Sequence, residues 1–403
     1  MNDLSNVNDD SILIFEYFTA SGVEDDSIVS EACEIIRSLA IELKDFDTYV
    51  LVCKAFENIF DDIIDEESNL KVIVIPSDND GSLEEWLESN VSIFSKSMFI
   101  AAENDMNLYN LTKILEKNDV RVYGCDSYAV KLASDKYETF DYFNGRLNQP
   151  QTFNILINPK TYWKRAIQIF FDKVNGDYGD QSVEDGTVPI MQKPKDIPVL
   201  DNSDKSVVKE NMLIAKPRFG VDCDNLKLIK SKIDIDELEE IYDEGSRFVV
   251  QEFIPGIVAS VSLICDGKTA IPISLNKQVV KIDGNGGEYV GGEIPFEHSL
   301  KDDAFELAKK ACEYIPGIKG FVGVDIIINE DENKVYFIEI NSRFTTSYVG
   351  LQKIANFNIA KSIIDLLDEN ISYEELINKI AYDGKVSFLK DENGVLDIKK
   401  EDF

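Results

Sequence analysis

The N-terminal third of the chain alternates short apolar runs with amphipathic helical patterns. We predict strands at 12–17, 49–54, 71–75, 98–101 and 120–123, and helices at 27–44, 82–89 and 105–118. Because strands that alternate with helices form parallel, doubly wound sheets, residues 11–130 are predicted to be an α/β domain. Ligands bind beyond the carboxyl ends of the strands in such sheets, so the loop 18–23 is a candidate binding segment. An ordinary strand-to-helix turn is the alternative interpretation of that loop.

The rest of the chain has a different pattern of predicted elements. Residues 148–154 indicate an extended linker, because Pro150 disfavours helix before it, and 159–174 indicate a helix. Residues 175–211 are rich in Asp, Gly, Pro and Ser, which predicts a long acidic surface insertion. Farther on, strands follow one another with few helices, which favours antiparallel sheet and an α+β fold. The predicted strands are 212–217, 248–253, 259–265, 270–276, 321–329 and 334–341, and the predicted helices are 234–242, 301–314 and 352–367.

Composition excludes several classes of partner and site. The chain has 41 Lys and Arg against 75 Asp and Glu, which gives a formal net charge of −34. Nucleic acids and anionic membranes need a positive face, so we expect neither as a partner. A local basic pocket for a small phosphate ligand is compatible with this charge, and a homo-oligomer is left open. The single His excludes metal sites that need two His from this chain.

The N-terminus and the cysteines bear on location. The first ten residues are polar and acidic, unlike a signal peptide, and no apolar stretch approaches the roughly 20 residues of a membrane span. The six cysteines are far apart and form no CxxC pair. We therefore expect a cytoplasmic protein with reduced thiols, of which Cys223 lies inside a candidate motif.

The sharpest local feature is a hairpin over 321–341, with the strands FVGVDIIIN and KVYFIEIN around a polar turn. Side chains alternate faces along a strand, so Glu339 and Asn341 share a face, and pairing about the turn brings Asp325 beside Glu339. Buried carboxylates need compensation, and a magnesium or manganese ion suits this oxygen set. Arg343 would then face phosphate oxygens or a developing oxyanion. The alternative is a solvated acidic pair with Arg343 as its ion-pair partner.

Two lysines follow strand or helix boundaries. Lys216 ends an apolar strand in MLIAKPRFGVDCD, just before Arg218 and Gly220, where a lysine can meet a nucleotide phosphate and a glycine lets the backbone approach it. Lys136 begins a predicted helix that Ser134 or Asp135 would cap. Taken alone, either lysine is more simply explained as a surface lysine.

The segment FVVQEFIPG, over 248–256, is an apolar strand that ends at Gln251-Glu252 and turns at Pro-Gly. A hinge of this kind can present backbone N–H and C=O groups to a flat base. An ordinary strand ending at a turn is the alternative.

The order of these segments is more specific than any one of them. The chain resembles the ATP-grasp ligases over 12–367, apart from the insertion. The resemblance rests on five segments that occur in the same order as in that family: SDK, KPxxG, QExIPG, GxD and ExNxR. The resemblance implies an α/β N-terminal domain followed by an α+β ATP-grasp fold whose two lobes grip ATP. It implies linker helices and the insertion over 131–211, a small lobe over 212–256 and a large lobe with the metal site over 257–403.

The resemblance also assigns roles by position. The cofactors would be ATP and two divalent cations, Mg or Mn. Contacts to ATP phosphates would come from Lys136, Lys216, Arg218 and Gly220. The adenine hinge would consist of Gln251, Glu252, Phe253 and Ile254. The metal ligands would be Asp325, Glu339 and Asn341, and the catalytic residues near the transferred phosphate would be Arg343 and Lys216.

A narrower resemblance, to a clade of archaeal carboligases, rests on FEYFTASG, KPRFGVDC, FIPGIVASVS and NSRFTTSY. It implies small-molecule substrates, an amino acid and an amine, joined as an amide through an acyl phosphate. The candidate substrate residues are Glu16, Ser21, Gly22, Ser260 and Asn276. Two alternatives remain: a related ligase that joins other amino acids, as in pyrrolysine synthesis, and an inactive ATP-grasp protein with a regulatory role.

Overall fold

The computed structural model describes residues 4–22, 26–65, 68–75, 83–158, 160–176, 212–220, 225–283, 286–391 and 395–401. Within these ranges the strands form sheets of five, four and seven strands. The insertion predicted over 175–211 lies outside them beyond its first two residues, and so does Cys223. The five cysteines among the described residues are free thiols, as predicted. None of the described helices combines the length and apolar character that a membrane crossing needs.

The first sheet is parallel, as predicted, with strand order β3-β2-β1-β4-β5. All five residues of the central strand β1 are buried, which explains its continuous apolar run. The strands are β1 (Ile12–Glu16), β2 (Thr48–Cys53), β3 (Leu70–Ile75), β4 (Lys96–Ile100) and β5 (Arg121–Val122). The helices of this part are α1 (Tyr17–Ser21), α2 (Asp26–Leu43), α3 (Leu83–Asn90), α4 (Asn107–Lys117), α5 (Ser127–Ala133) and α6 (Lys136–Phe143).

The segment after β1 is a short helix, where we predicted a loop. The Glu16 carboxylate accepts hydrogen bonds from the N–H groups of Phe18 and Thr19, which caps α1 at its start. The helix ends at Gly22, whose φ of +75° is a left-handed conformation that glycine adopts without strain.

The second sheet is antiparallel, with strand order β6-β9-β7-β8. Its first strand falls in the segment that we interpreted as a linker: residues after Pro150 pair with β9 and place Ile155 in the core. The strands are β6 (Thr152–Leu156), β7 (Leu213–Pro217), β8 (Lys227–Ile229) and β9 (Arg247–Glu252). The helices of this part are α7 (Trp163–Val174), α8 (Lys232–Asp236) and α9 (Leu238–Ile241).

The third sheet is also antiparallel, with strand order β14-β13-β10-β11-β12-β15-β16. Its strands are β10 (Ile257–Asp266), β11 (Ala270–Asp283), β12 (Gly286–Ile294), β13 (Lys319–Asn329), β14 (Lys334–Asn341), β15 (Lys385–Lys390) and β16 (Leu396–Glu401). We did not predict β12, whose glycines resemble a loop. A Cβ at Gly292 would lie 2.6 Å from the Lys277 carbonyl oxygen, so these glycines let neighbouring strands approach closely.

The remaining helices are α10 (Lys301–Tyr314), α11 (Thr346–Ile354), α12 (Ile359–Leu367) and α13 (Tyr373–Ile377). The single helix predicted over 352–367 is wrong, because the chain breaks between α11 and α12, where Asn358 caps the second helix. Glu42 of α2 stabilises this break. Its buried carboxylate accepts hydrogen bonds from the N–H groups of Ile359 and Ala360 and from the Tyr348 hydroxyl. Glu42 thereby ties the parallel sheet to the helices that pack on the seven-stranded sheet.

Candidate active site

A row of polar side chains crosses four strands of the seven-stranded sheet. In the strand register, Asn276 pairs with Ser260, Ser260 with Asp325, and Asp325 with Glu339. The predicted approach of Asp325 to Glu339 across the hairpin is therefore confirmed. A register shift follows Asp325 immediately, as β-bulges often do where a strand aims a side chain at a site.

Two amide side chains hold Asp325. Gln278 Nε2 donates to its Oδ1 and Asn341 Nδ2 to its Oδ2, each over 3.0 Å. Burial, and then repulsion from Glu339, raise the pKa of Asp325 to about 7. The sequence did not single out Gln278, although it lies on the same face of β11 as Asn276 and strand alternation alone could have found it.

The donor chemistry of this group fits a hard divalent cation. Two carboxylates and two amide groups converge here. Among the described residues, no group of three or more His, Cys, Asp or Glu is arranged to hold a metal ion, so a cation at this site would need the amide oxygen as well. A cation here would offset the repulsion that disfavours the charged form of Asp325. The oxygens of Asp325, Glu339 and Asn341 are the ones that could hold it.

Lysines from two other parts of the chain approach the same carboxylate. The Glu339 Oε2 atom lies 3.5 Å from Lys136 Nζ and 3.8 Å from Lys216 Nζ. Burial by itself would raise the pKa of Glu339, but Lys136, Lys216 and Arg343 together bring it below its usual value. The hairpin, the end of β7 and the start of α6 thus meet at one point.

The start of α6 follows the prediction, since the Asp135 carboxylate caps it through the N–H groups of Tyr137 and Glu138. Lys136 Nζ also donates to the Gly220 carbonyl over 2.7 Å, which ties the helix to the segment after β7. Gly220 has a φ of +151°, a conformation that side chains disfavour.

Arg218 has a different environment from the one its predicted role suggests. Its guanidinium makes two hydrogen bonds to Asp135, of 2.7 and 2.6 Å, and a third to Glu138 of 3.1 Å. The Arg218 side chain is 8% exposed. Arg218 therefore joins the segment after β7 to α6, and phosphate contact by its guanidinium stays a prediction.

The predicted adenine hinge lies at the junction of the two antiparallel sheets. Gln251 is buried and donates to Thr152 Oγ1, while the N–H groups of Glu252 and Phe253 donate to carbonyl groups of neighbouring segments. Burial raises the pKa of Glu252. A Cβ at Gly256 would lie 2.4 Å from the Ile328 carbonyl oxygen, so this turn requires glycine to pass over β13. Adenine contact by Gln251, Glu252, Phe253 and Ile254 stays a prediction.

A cavity of about 170 Å³ opens beside the acidic pair. Among its lining residues are Asp325, Glu339, Asn341, Arg343, Ser260, Asn276 and Glu16. The cavity thus brings the predicted metal ligands together with Arg343 and three of the predicted substrate residues. Ser21 and Gly22, at the end of α1, are not among the described residues that line it.

Arg343 is held by a residue that the sequence did not indicate. Its Nε donates to Glu103 Oε2 over 2.8 Å, and Glu103 follows β4 at the carboxyl edge of the parallel sheet. Glu103 Oε1 is buried and has no hydrogen-bond partner among the described residues. The rule that drew attention to the segment after β1 applies equally to the segment after β4 and could have found Glu103.

Glu16 lies at the same edge of that sheet. Burial raises the pKa of Glu16 to about 7, although the N–H groups that cap α1 act in the opposite direction. Asn276 is engaged differently: it accepts from Ser274 and donates to Ser260 and Ser262, so its amide belongs to a buried polar network.

Residues 189–347 match the family model of the ATP-grasp domain. Over 371 residues the chain is 33% identical to tyramine–L-glutamate ligase of Methanocaldococcus fervens, and the alignment covers 92% of this chain and 97% of that protein. The chain belongs to the ATP-grasp family. It is 31% identical to the protein of the same name from Methanocaldococcus jannaschii, with 92% of each chain covered.

Solved structures agree on the fold. An ATP-grasp superfamily protein from Archaeoglobus fulgidus superposes with a TM-score of 0.62 at 23% identity, covering 98% of this chain and 99% of that one. A biotin carboxylase from Campylobacter jejuni, crystallised with an ATP analogue, superposes with a TM-score of 0.61 at 13% identity, covering 96% of this chain and 76% of that one. As the resemblance implied, the protein has an ATP-grasp fold and is an ATP-dependent ligase that forms an amide.

Proposed function

We propose that this ligase joins the γ-carboxyl group of L-glutamate to the amine of tyramine, a step of methanofuran biosynthesis. The observation that carries the proposal is the convergence of Lys136 and Lys216 on Glu339, beside Asp325, at a cavity that Arg343 also lines. The choice of substrates is supported by the names of the two relatives at 33% and 31% identity.

In this proposal the lysines bind phosphate oxygens of ATP, and Gln251 to Ile254 receive the adenine. Asp325, Glu339 and Asn341 hold magnesium or manganese. A bound cation of this kind would neutralise phosphate charge. Since the Glu339 carboxylate lies 3.5 Å from Lys136 Nζ and 3.8 Å from Lys216 Nζ, ATP phosphates would take over a charge balance that this carboxylate provides in the free protein.

The reaction needs no nucleophile from the protein. A γ-carboxylate oxygen of glutamate attacks the γ-phosphorus of ATP, the bond to ADP breaks, and an acyl phosphate forms. The tyramine nitrogen then attacks the acyl carbon, the carbon–oxygen bond to phosphate breaks, and the nitrogen loses a proton. The protein's role is to position both substrates and to stabilise the charge that develops on oxygen. The Arg343 guanidinium suits the second of these tasks.

The test is ADP and phosphate release by the purified protein with ATP, a magnesium or manganese salt, and a panel of acids and amines, with products identified by mass. We expect turnover with L-glutamate plus tyramine, and none when either is omitted. Turnover with another pair and none with this one would overturn the substrate assignment and leave the ligase class standing.

A further inference from the structure

An ion pair lies on the wall of the same cavity, contributed by elements far apart in the sequence. Glu31 of α2 and Lys390 of β15 both line the cavity, and Glu31 Oε2 lies 3.1 Å from Lys390 Nζ. The two side chains are only 16% and 15% exposed. Charges this shielded are costly to place beside a cavity unless each has a good partner.

Each member of the pair is fixed by a second contact. The Thr346 hydroxyl donates to Glu31 Oε1, and Thr346 opens α11, so the N-terminal end of that helix also favours the negative charge. Lys390 Nζ lies 5.6 Å from the centre of the Tyr289 ring, which attracts a cation. The structure therefore presents an oriented anion and an oriented cation side by side.

Three other charged side chains of the cavity wall are engaged with different partners. Glu16 caps α1, Arg343 is bound to Glu103, and Asp325 is held by two amides. Glu31 and Lys390, in contrast, are paired with each other, and a hydroxyl group and a ring face contact them on the cavity wall. An ion pair of this kind can exchange partners with a ligand that carries both charges, without leaving either charge uncompensated.

We infer that Glu31 and Lys390 form the subsite for the main-chain zwitterion of the amino-acid substrate. Glu31 receives its α-ammonium group and Lys390 its α-carboxylate, while the side-chain carboxyl points to the end of the cavity that holds Asp325, Glu339 and Arg343. This inference rests on the proposed function and names the groups that select the acid. Tyramine has no carboxylate, so it would leave Lys390 without an anion.

The test compares two charge-neutralising variants on L-glutamate and on two analogues that each lack one charge. 4-Aminobutyrate is glutamate without the α-carboxylate, and glutarate is glutamate without the α-amino group. For glutamate, Lys390→Met and Glu31→Gln should each lower kcat/KM about 10–100-fold, as expected for loss of one shielded charged hydrogen bond. Lys390→Met should change kcat/KM for 4-aminobutyrate less than threefold, and Glu31→Gln should do the same for glutarate.

The control is Lys385→Met. Lys385 lies on β15 with Lys390 and forms an ion pair with Glu293 of β12, and neither residue is among the described residues that line the cavity. This variant should leave kcat/KM for glutamate within twofold. Equal losses for glutamate and for the truncated analogue would show that the pair is structural and would overturn the inference. A raised KM for tyramine in place of glutamate would overturn it as well. If the wild-type protein does not turn over L-glutamate with tyramine, the proposed function itself is refuted, and the subsite with it.

Discussion

The contact between Arg343 and Glu103 leads to a prediction of calculable size. The bond from Arg343 Nε to Glu103 Oε2 measures 2.8 Å, and the side chains are 15% and 6% exposed. A hydrogen bond to a charged group contributes about 1.5–3 kcal/mol, and Glu103→Gln removes one of the two charges of this bond, so it should weaken the hold on Arg343 by about 1–1.5 kcal/mol. If Arg343 acts only in the transition state, kcat should fall about tenfold, and about 10–100-fold in Glu103→Ala.

The assay is steady-state ADP release with each substrate varied in turn. We expect kcat to fall while the KM for ATP stays within about twofold, because Glu103 positions Arg343 and does not bind the nucleotide. Asp62→Asn is the matched control, since it breaks the Arg37–Asp62 pair on the surface. Urea unfolding midpoints show whether each variant is folded. A folded Glu103→Ala protein with wild-type kcat would refute the reasoning.

Three further predictions concern activity, stability and pH. Glu339→Gln should lower kcat at least about 100-fold, because stabilisation of the phosphate charge through a bound cation is lost; turnover assays check this, urea unfolding shows whether the variant is folded, and retained activity would contradict a metal role. Glu42→Ala should lower the free energy of unfolding by about 3–5 kcal/mol, because the N–H groups of Ile359 and Ala360 and the Tyr348 hydroxyl lose their acceptor. An unchanged midpoint of urea unfolding would contradict this prediction. The pKa of Glu16 rises from 4.5 to about 7 on folding, so its protonated form stabilises the native state fully below pH 4.5, and this stability of about 3 kcal/mol is lost as pH rises through 7. Glu16→Gln should remove that slope from unfolding midpoints measured between pH 4.5 and 7.5, and an unaltered slope would show that another group causes it.

The parts of the site that the sequence predicted are those encoded over short distances. Asp325 and Glu339 come together because one turn and the alternation of side chains fix their register. Lys136 begins its helix where a capping aspartate precedes it. The parallel sheet likewise follows from a local alternation of strands and helices.

The rest depends on packing between distant segments. Glu103 meets Arg343 across 240 positions, and Glu31 meets Lys390 only because α2 packs near β15. No short pattern encodes such a contact. The same holds for β12, whose glycines acquire meaning only from the neighbouring strands, and for the break between α11 and α12, which Glu42 stabilises from another part of the chain.

The central claim is that the carboxylate is activated as an acyl phosphate before the amine attacks. Glutamate labelled with oxygen-18 in both γ-carboxyl oxygens, supplied with ATP and tyramine, tests it most directly. In the route through an acyl phosphate, the carboxylate oxygen that attacked the γ-phosphorus leaves with it, so each phosphate released should carry one labelled oxygen, with ADP as the other product. Unlabelled phosphate, or AMP and pyrophosphate in place of ADP and phosphate, would contradict the account.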